Sequence, residues 1–397
     1  MSYMREGQST TRRSPRRHLT LGARVKPEAE SFRRLVILVV LTTLLAACGG
    51  STGGTVSTGG TVTSLGPPPG SCNFQSGGDC AVVVNGATRH YSLYIPHNYK
   101  AGVSALVVAL HPSRSNGPAF QRSSQLNATA DQHGFLVAYP TASLDSEGHT
   151  AWNGYFSDAT FSGTPPDDVG FLRALINTVQ ANLSPDSKQI FVTGFSLGSL
   201  MTHRVGVELS DLVAAIAPYE YAMYGYSPPT LGGTIPNAKM PISVLMIFGS
   251  HVALPDICGY DDNKGNVLSS MDDAVAYWTG TRKVMGGISA NACSSFDTTA
   301  GFCSAKASPS HPDTQTSLDE KKAARCAGGV AVQVYKLWGG THTWYPPNVI
   351  FSNTNCIPTS SPPCNPYFNS NTATDLNDII WNFFASHPKP MSLPGGN

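Results

Sequence analysis

The chain alternates short, wholly apolar runs with longer stretches in which apolar positions return every third or fourth residue. Ala105–Leu110 (ALVVAL) and Ile190–Thr193 (IFVT) are runs of the kind found in strands covered on both faces. Phe135–Tyr139, Val213–Ala217, Ile242–Phe248 and Val332–Trp338 read the same way. Between them, Asp167 and Asp168 open a predicted helix in which Phe171, Leu172, Leu175, Ile176, Val179 and Leu183 form one stripe. Further helices are predicted over Leu126–His133, from Gly194 to about Leu209, over Met271–Trp278 and over Asp375–Phe384. Near the start, Ala81–Val84 and His90–Ile95 flank Asn85-Gly86, a hairpin signal. Strand and helix in turn predict an α/β fold, a mostly parallel central sheet with helices on both faces. Ser289–Gly329 and Trp344–Thr374 are rich in Cys, Pro and Ser and lack periodicity, which reads as disulfide-pinned loops near the edge that carries the site.

Composition agrees with a sizeable core. Hydrophobic residues make up 41% of the 397 and charged ones only 13%, too apolar for a disordered chain. The net charge of +1 hides an asymmetry, because residues 1–47 hold nine Lys/Arg against three Asp/Glu and leave 17 basic and 22 acidic groups for the rest. A mildly acidic body gives no reason to expect nucleic-acid binding. The basic excess precedes the apolar run Leu35–Ala47, whose thirteen residues span about 20 Å as a helix. That is short of a hydrocarbon core of about 30 Å. Charged flank, short apolar run and small residues before Cys48 predict a signal peptide over 1–47 with a long basic extension. The stretch Leu45-Ala46-Ala47-Cys48 resembles a bacterial lipobox, which implies an exported chain with Cys48 lipidated as its membrane anchor. Residues 48–70, mainly Gly, Ser, Thr and Pro, read as a tether, 71–390 as one catalytic domain and 391–397 as a tail. The other eight cysteines (Cys72, Cys80, Cys258, Cys293, Cys303, Cys326, Cys356 and Cys364) allow up to four disulfides in an exported chain. They lack the close CxxC spacing of a zinc site, and no metal is expected.

Gly194-Phe195-Ser196-Leu197-Gly198 matches GxSxG and falls between a predicted strand and a predicted helix. There the serine occupies a tight turn whose glycines let backbone pass closely, and the helix amides face a developing oxyanion. A serine hydroxyl needs a base at neutral pH. His342, in Gly339-Gly340-Thr341-His342-Thr343-Trp344, follows a predicted strand and comes after the serine in the chain order Ser…Asp…His.

Six stretches carry a wider likeness: LVVALHP, ATADQHGFLVAYP, DDVGFLRALI, GFSLGSLMTHR followed by AAIAP, VYKLWGGTHTW, and DLNDIIWNFFASHP. Through them the chain resembles the secreted esterase family that includes poly(3-hydroxybutyrate) depolymerases and the feruloyl and acetylxylan esterases, with an α/β-hydrolase fold. The resemblance implies Ser196 as nucleophile, His342 as general base and the Leu197 N–H as an oxyanion donor. It also places Trp152, Trp344 and His111 beside the substrate cleft, with core packing the plain alternative for the tryptophans. Two positions depart from the pattern. A His-Gly pair is usual after the first buried strand, whereas here His111 precedes Pro112, which has no N–H, so Ser113 is the expected second donor. Val252 occupies the usual position of the acid, which leaves Asp256 as first candidate and Asp261 and Asp262 as further ones.

These residues imply hydrolysis of a carboxylic ester outside the cytoplasm through an acyl-enzyme, with no cofactor. The substrate is a hydroxycinnamoyl or acetyl ester on polysaccharide, or a hydroxyalkanoate oligomer. The alternative is a non-catalytic surface lipoprotein serving as a binding module on the same fold. A periplasmic solute-binding lipoprotein would share the lipobox but has no use for the elbow serine.

Overall fold

The computed structural model describes residues 70–155, 160–161, 163–226, 235–249, 260–261, 266–284, 286–291, 293, 295–296, 318–324, 326, 329–337, 342–345 and 376–389. The expected signal peptide, Cys48, most of the tether, Asp256, Asp262 and the tail lie outside them, as do Cys258, Cys303, Cys356 and Cys364.

The apolar runs become the middle of one sheet. The strands are β1 (Gly78–Val84), β2 (Ala87–Tyr94), β3 (Leu106–Leu110), β4 (Leu136–Pro140), β5 (Ser143–Leu144), β6 (Thr150–Ala151), β7 (Ile190–Phe195) and β8 (Ala215–Tyr219). There follow β9 (Tyr224–Tyr226), β10 (Ser243–Gly249), β11 (Tyr260–Asp261), β12 (Asn266–Leu268), β13 (Ser295–Phe296), β14 (Leu318–Ala324) and β15 (Val332–Leu337). The helices are α1 (Gly117–Ser124), α2 (Leu126–His133), α3 (Asp168–Leu183), α4 (Leu197–Glu208), α5 (Met271–Thr279) and α6 (Leu376–Ser386). The main sheet runs β1-β2-β4-β3-β7-β8-β10-β15-β14-β13. From β4 through β15 neighbours are parallel, and the strands outside them pair antiparallel.

Every residue of β3, β4, β7, β8 and β10 is buried, as unbroken apolar runs require in a sheet covered on both faces. Alternation divides each strand between two cores. Leu106, Val108 and Leu110 join the cluster that holds Phe171 and Leu175 of α3, Met201 of α4 and Trp278 of α5. Val107 and Ala109 join Phe120 of α1, Leu126 of α2 and Phe384 of α6 on the other side.

The segment from 289 to 329 is not all loop: β14, LDEKKAA, pairs antiparallel with β15. Its polar sequence hides a strand near the sheet's end, held between β15 and the short β13. Helix α1 was also invisible, since it has one large apolar residue and starts at Gly-Pro. Its N-cap Asn116 accepts from the Ala119 N–H at 2.9 Å. Two disulfides join described cysteines, Cys72–Cys80 and Cys293–Cys326.

The topology selects one edge for a site. From β3 the chain goes to β4 on one side and then crosses to β7 on the other, so the ends of β3 and β7 form the switch point at which sites gather in such sheets. Registers Leu110↔Gly194, Phe195↔Tyr219 and Gly249↔Leu337 bring the strand ends level there.

Candidate active site

Ser196 leaves β7 with φ 56° and ψ −118°, a left-handed conformation unusual for a residue with a Cβ. The turn is held by its neighbours. The Ser196 N–H donates to Tyr219 O at 3.1 Å. A Cβ on Gly194 would lie 2.3 Å from Gly198 O, and one on Gly198 would lie 2.2 Å from Leu110 O. Glycine at both positions is therefore what lets α4 start against β7 and the end of β3. As the first residue of α4, Leu197 presents an N–H that has no partner within the helix.

His342 reaches this turn from beyond β15. Its Nε2 lies 2.8 Å from Ser196 Oγ. The imidazole sits between the rings of Phe195 and Tyr221, 4.9 and 5.2 Å away, and keeps an exposed edge. Loss of water on the packed faces holds its pKa below the ordinary histidine value. Among the described residues no carboxylate bonds to its other nitrogen. Asp261 is the last residue of β11.

Next to the start of α4 lies the turn that leaves β3. Three ties fix it: Trp152 Nε1 donates to His111 O at 3.0 Å, the Arg114 N–H to Thr150 O at 3.0 Å, and Thr150 Oγ1 to Ser115 O at 2.5 Å. The Ser113 N–H has no hydrogen-bond partner among the described residues.

Three expected substrate contacts are corrected by burial. Trp152 is fully enclosed, and its indole serves the tie to His111. Trp344 packs edge-on against Phe120 and Tyr219, and its N–H donates to Asn377 Oδ1 at 3.2 Å. Both tryptophans are core. His111 is also enclosed; its Nε2 accepts from the Ala142 N–H at 3.0 Å, so the proton sits on Nδ1, 2.7 Å from Pro112 O. Burial pushes its pKa down to about 4, and it remains a neutral brace within its loop.

A second buried group went unread in the sequence. Asp168, the first residue of α3, accepts from Arg89 Nη2 at 2.6 Å and from the Asn153 N–H at 2.7 Å. Arg204 of α4 donates to Asn153 O at 2.7 Å. The segment that carries Trp152 is thus pinned between α3 and α4. In sequence Asp168 looked like half of a helix-starting pair, yet Asp167 makes the cap to the Gly170 N–H, and only burial separates the two. Among the described residues no group of three or more His, Cys, Asp or Glu side chains is placed to hold a metal ion.

A strained serine between close-packed glycines, with an imidazole on its hydroxyl, is the arrangement of a serine hydrolase. The family model described as esterase PHB depolymerase matches residues 89–232, which include this turn. Over those residues the chain is similar to the esterase family that takes in the PHB depolymerases and acetylxylan esterases. A protein named as an esterase, NocK of Nocardia uniformis subsp. tsuyamanensis, is 26% identical over 274 residues, 66% of this chain and 72% of NocK. Acetylxylan esterase A of Aspergillus ficuum is 28% identical over 127 residues, 32% of this chain and 40% of the fungal one. Feruloyl esterase B of Thermothelomyces thermophilus is 27% identical over 133 residues, 34% and 44% of the two chains. The matched part of this chain therefore spans less than half the length of those two fungal relatives. The solved acetyl xylan esterase from Aspergillus awamori covers 64% of this chain and 89% of its own, with 18% identity and a TM-score of 0.38.

Proposed function

We propose that this chain hydrolyses carboxylic esters outside the cytoplasm through an acyl-enzyme formed on Ser196. The observation that carries the reading is the 2.8 Å contact between Ser196 Oγ and His342 Nε2 at a left-handed turn. His342 takes the hydroxyl proton while Oγ attacks the ester carbonyl. The oxyanion formed accepts from the N–H groups of Leu197 and Ser113, both near the start of α4. His342 then returns the proton to the leaving alcohol, and water repeats the two steps on the acyl-enzyme. A lowered imidazole pKa suits this role, because the base stays unprotonated on the acid side of neutrality. Asp256 is assigned as the acid that orients His342, with Asp261 and Asp262 as the other candidates.

The substrate class proposed is the one named for the relatives: acetyl or hydroxycinnamoyl esters on polysaccharide, or hydroxyalkanoate oligomers. Export with a lipid anchor at Cys48 is supported by the apolar run before it and by two disulfides, which persist in oxidising compartments. The test is hydrolysis of p-nitrophenyl acetate by the purified chain, followed by a panel of methyl ferulate, acetylated xylan and hydroxybutyrate oligomers. Ser196→Ala is expected to lower kcat by about 10⁴-fold or more. Asp256→Asn is expected to lower it by about 10³–10⁴-fold if Asp256 is the acid. An inert wild-type chain would instead favour the non-catalytic surface module.

A further inference from the structure

The segment leaving β8 touches the His342 loop twice. Tyr219 Oη donates to Thr343 O at 2.7 Å, and the Tyr221 ring lies 5.2 Å from the imidazole. Between them Glu220 is fully enclosed and holds φ at 82°, a conformation that a residue with a Cβ keeps only when its surroundings over-determine it.

Three bonds supply that constraint. The Glu220 N–H donates to Ile247 O at 2.8 Å. Ser199 Oγ donates to Tyr221 O at 2.8 Å, and His203 Nε2 lies 3.2 Å from the same carbonyl. Ser199 and His203 are one turn apart on α4, so both face the exit of β8. An indole N–H only donates. Trp278 Nε1, 2.9 Å from His203 Nδ1, therefore places the histidine's own proton on Nε2, aimed at Tyr221 O. Trp278 reaches that position because Gly206 has no Cβ, which would lie 2.9 Å from its ring. Burial pushes the His203 pKa down to about 3 and keeps this tautomer neutral.

We propose that His203, locked in one tautomer by Trp278, is a positioning residue that fixes the Tyr219–Tyr221 exit and through it the imidazole of His342 against Ser196. The proposal rests on the reading of His342 as general base. Among the described residues the ring and hydrogen-bond contacts of His342 are with Phe195, Tyr221 and Ser196, with Tyr219 acting through Thr343; none of these four carries a charge at neutral pH, and the buried carboxyl in the segment is that of Glu220.

Two substitutions separate positioning from mere packing. In His203→Gln the amide nitrogen reaches the place of Nε2 and keeps the donor to Tyr221 O. In His203→Asn the shorter amide reaches only the place of Nδ1 and keeps the acceptor for Trp278. Measured on the full chain with p-nitrophenyl acetate, His203→Asn is expected to lower kcat about tenfold or more, with KM changed less than about twofold. Its acid limb in kcat/KM should move up toward the ordinary histidine value as the slot around His342 admits water. His203→Gln is expected to keep kcat within about threefold. A folded Asn variant with unchanged kcat and acid limb would overturn the proposal. So would equal losses in both variants that track lost thermal stability. An NMR titration of the His342 C2 proton in Ser196→Ala, with and without His203→Asn, needs no turnover. An upward shift of its midpoint supports the proposal even if the wild-type chain hydrolyses nothing, and a fixed midpoint sinks it.

Discussion

Two enclosed histidines give this esterase an acid sensitivity that can be assigned residue by residue. Burial lowers the pKa of His111 to about 4 and that of His203 to about 3, against an ordinary value of 6.5. Between those values the unfolded chain binds more protons than the folded one. Stability is therefore complete above pH of about 6.5 and is lost as the pH falls toward 4 and then 3. The part owed to His111 is on the order of 3 kcal/mol when fully developed. Thermal midpoints recorded from pH 7 to pH 4 are expected to fall steadily, and His111→Gln, which keeps an acceptor for the Ala142 N–H, should flatten the fall. At this scale the sequence was legible where spacing carries chemistry. Ser196 and His342 stand in GFSLG and GGTHTW, and the two meet. His203 was not legible, because a histidine within an apolar helix looks the same whether it braces a loop or only fills space. The tryptophans misled for a related reason: an aromatic next to a motif shows nothing about which way its ring turns.

Among the elements, one buried ion pair ties β2 to α3. Asp168 is fully enclosed, Arg89 nearly so, and the guanidinium also covers the Phe171 ring at 4.2 Å. Asp168→Asn leaves a buried cation without its counter-charge and is expected to cost about 3–5 kcal/mol in chemical denaturation. Asp211→Asn supplies the contrast. It breaks a bidentate contact to Arg173 at 2.8 and 2.9 Å, but both side chains are well exposed, and the loss should stay within about 1 kcal/mol. Equal losses would mean that burial is not what gives the first pair its weight. The strands with unbroken apolar sequence were readable because burial on both faces leaves that mark. The strand β14 left none, since its pairing rests on backbone bonds that any sequence can make.

For the molecule as a whole, the two described disulfides differ in reach. Cys72–Cys80 closes a separation of 8 residues and Cys293–Cys326 one of 33. By chain entropy the shorter loop is worth about 2.5 kcal/mol and the longer about 3.5–4 kcal/mol. Cys293→Ser should therefore lower the denaturation midpoint more than Cys72→Ser does. It should also lower esterase activity at moderate temperature, because Cys326 precedes β15, the strand that leads to His342. The domain's class was visible in the alternation of strand and helix. Which cysteines pair was not, since pairing depends on where loops return in space.

The contact between Ser196 and His342 spans 146 positions. A ribosome adding about 5–20 residues each second needs roughly 7–30 s to cover that distance. Throughout that interval the nascent polypeptide displays its hydroxyl with no imidazole to activate it. Activation of the hydroxyl therefore waits on synthesis of the chain as far as His342.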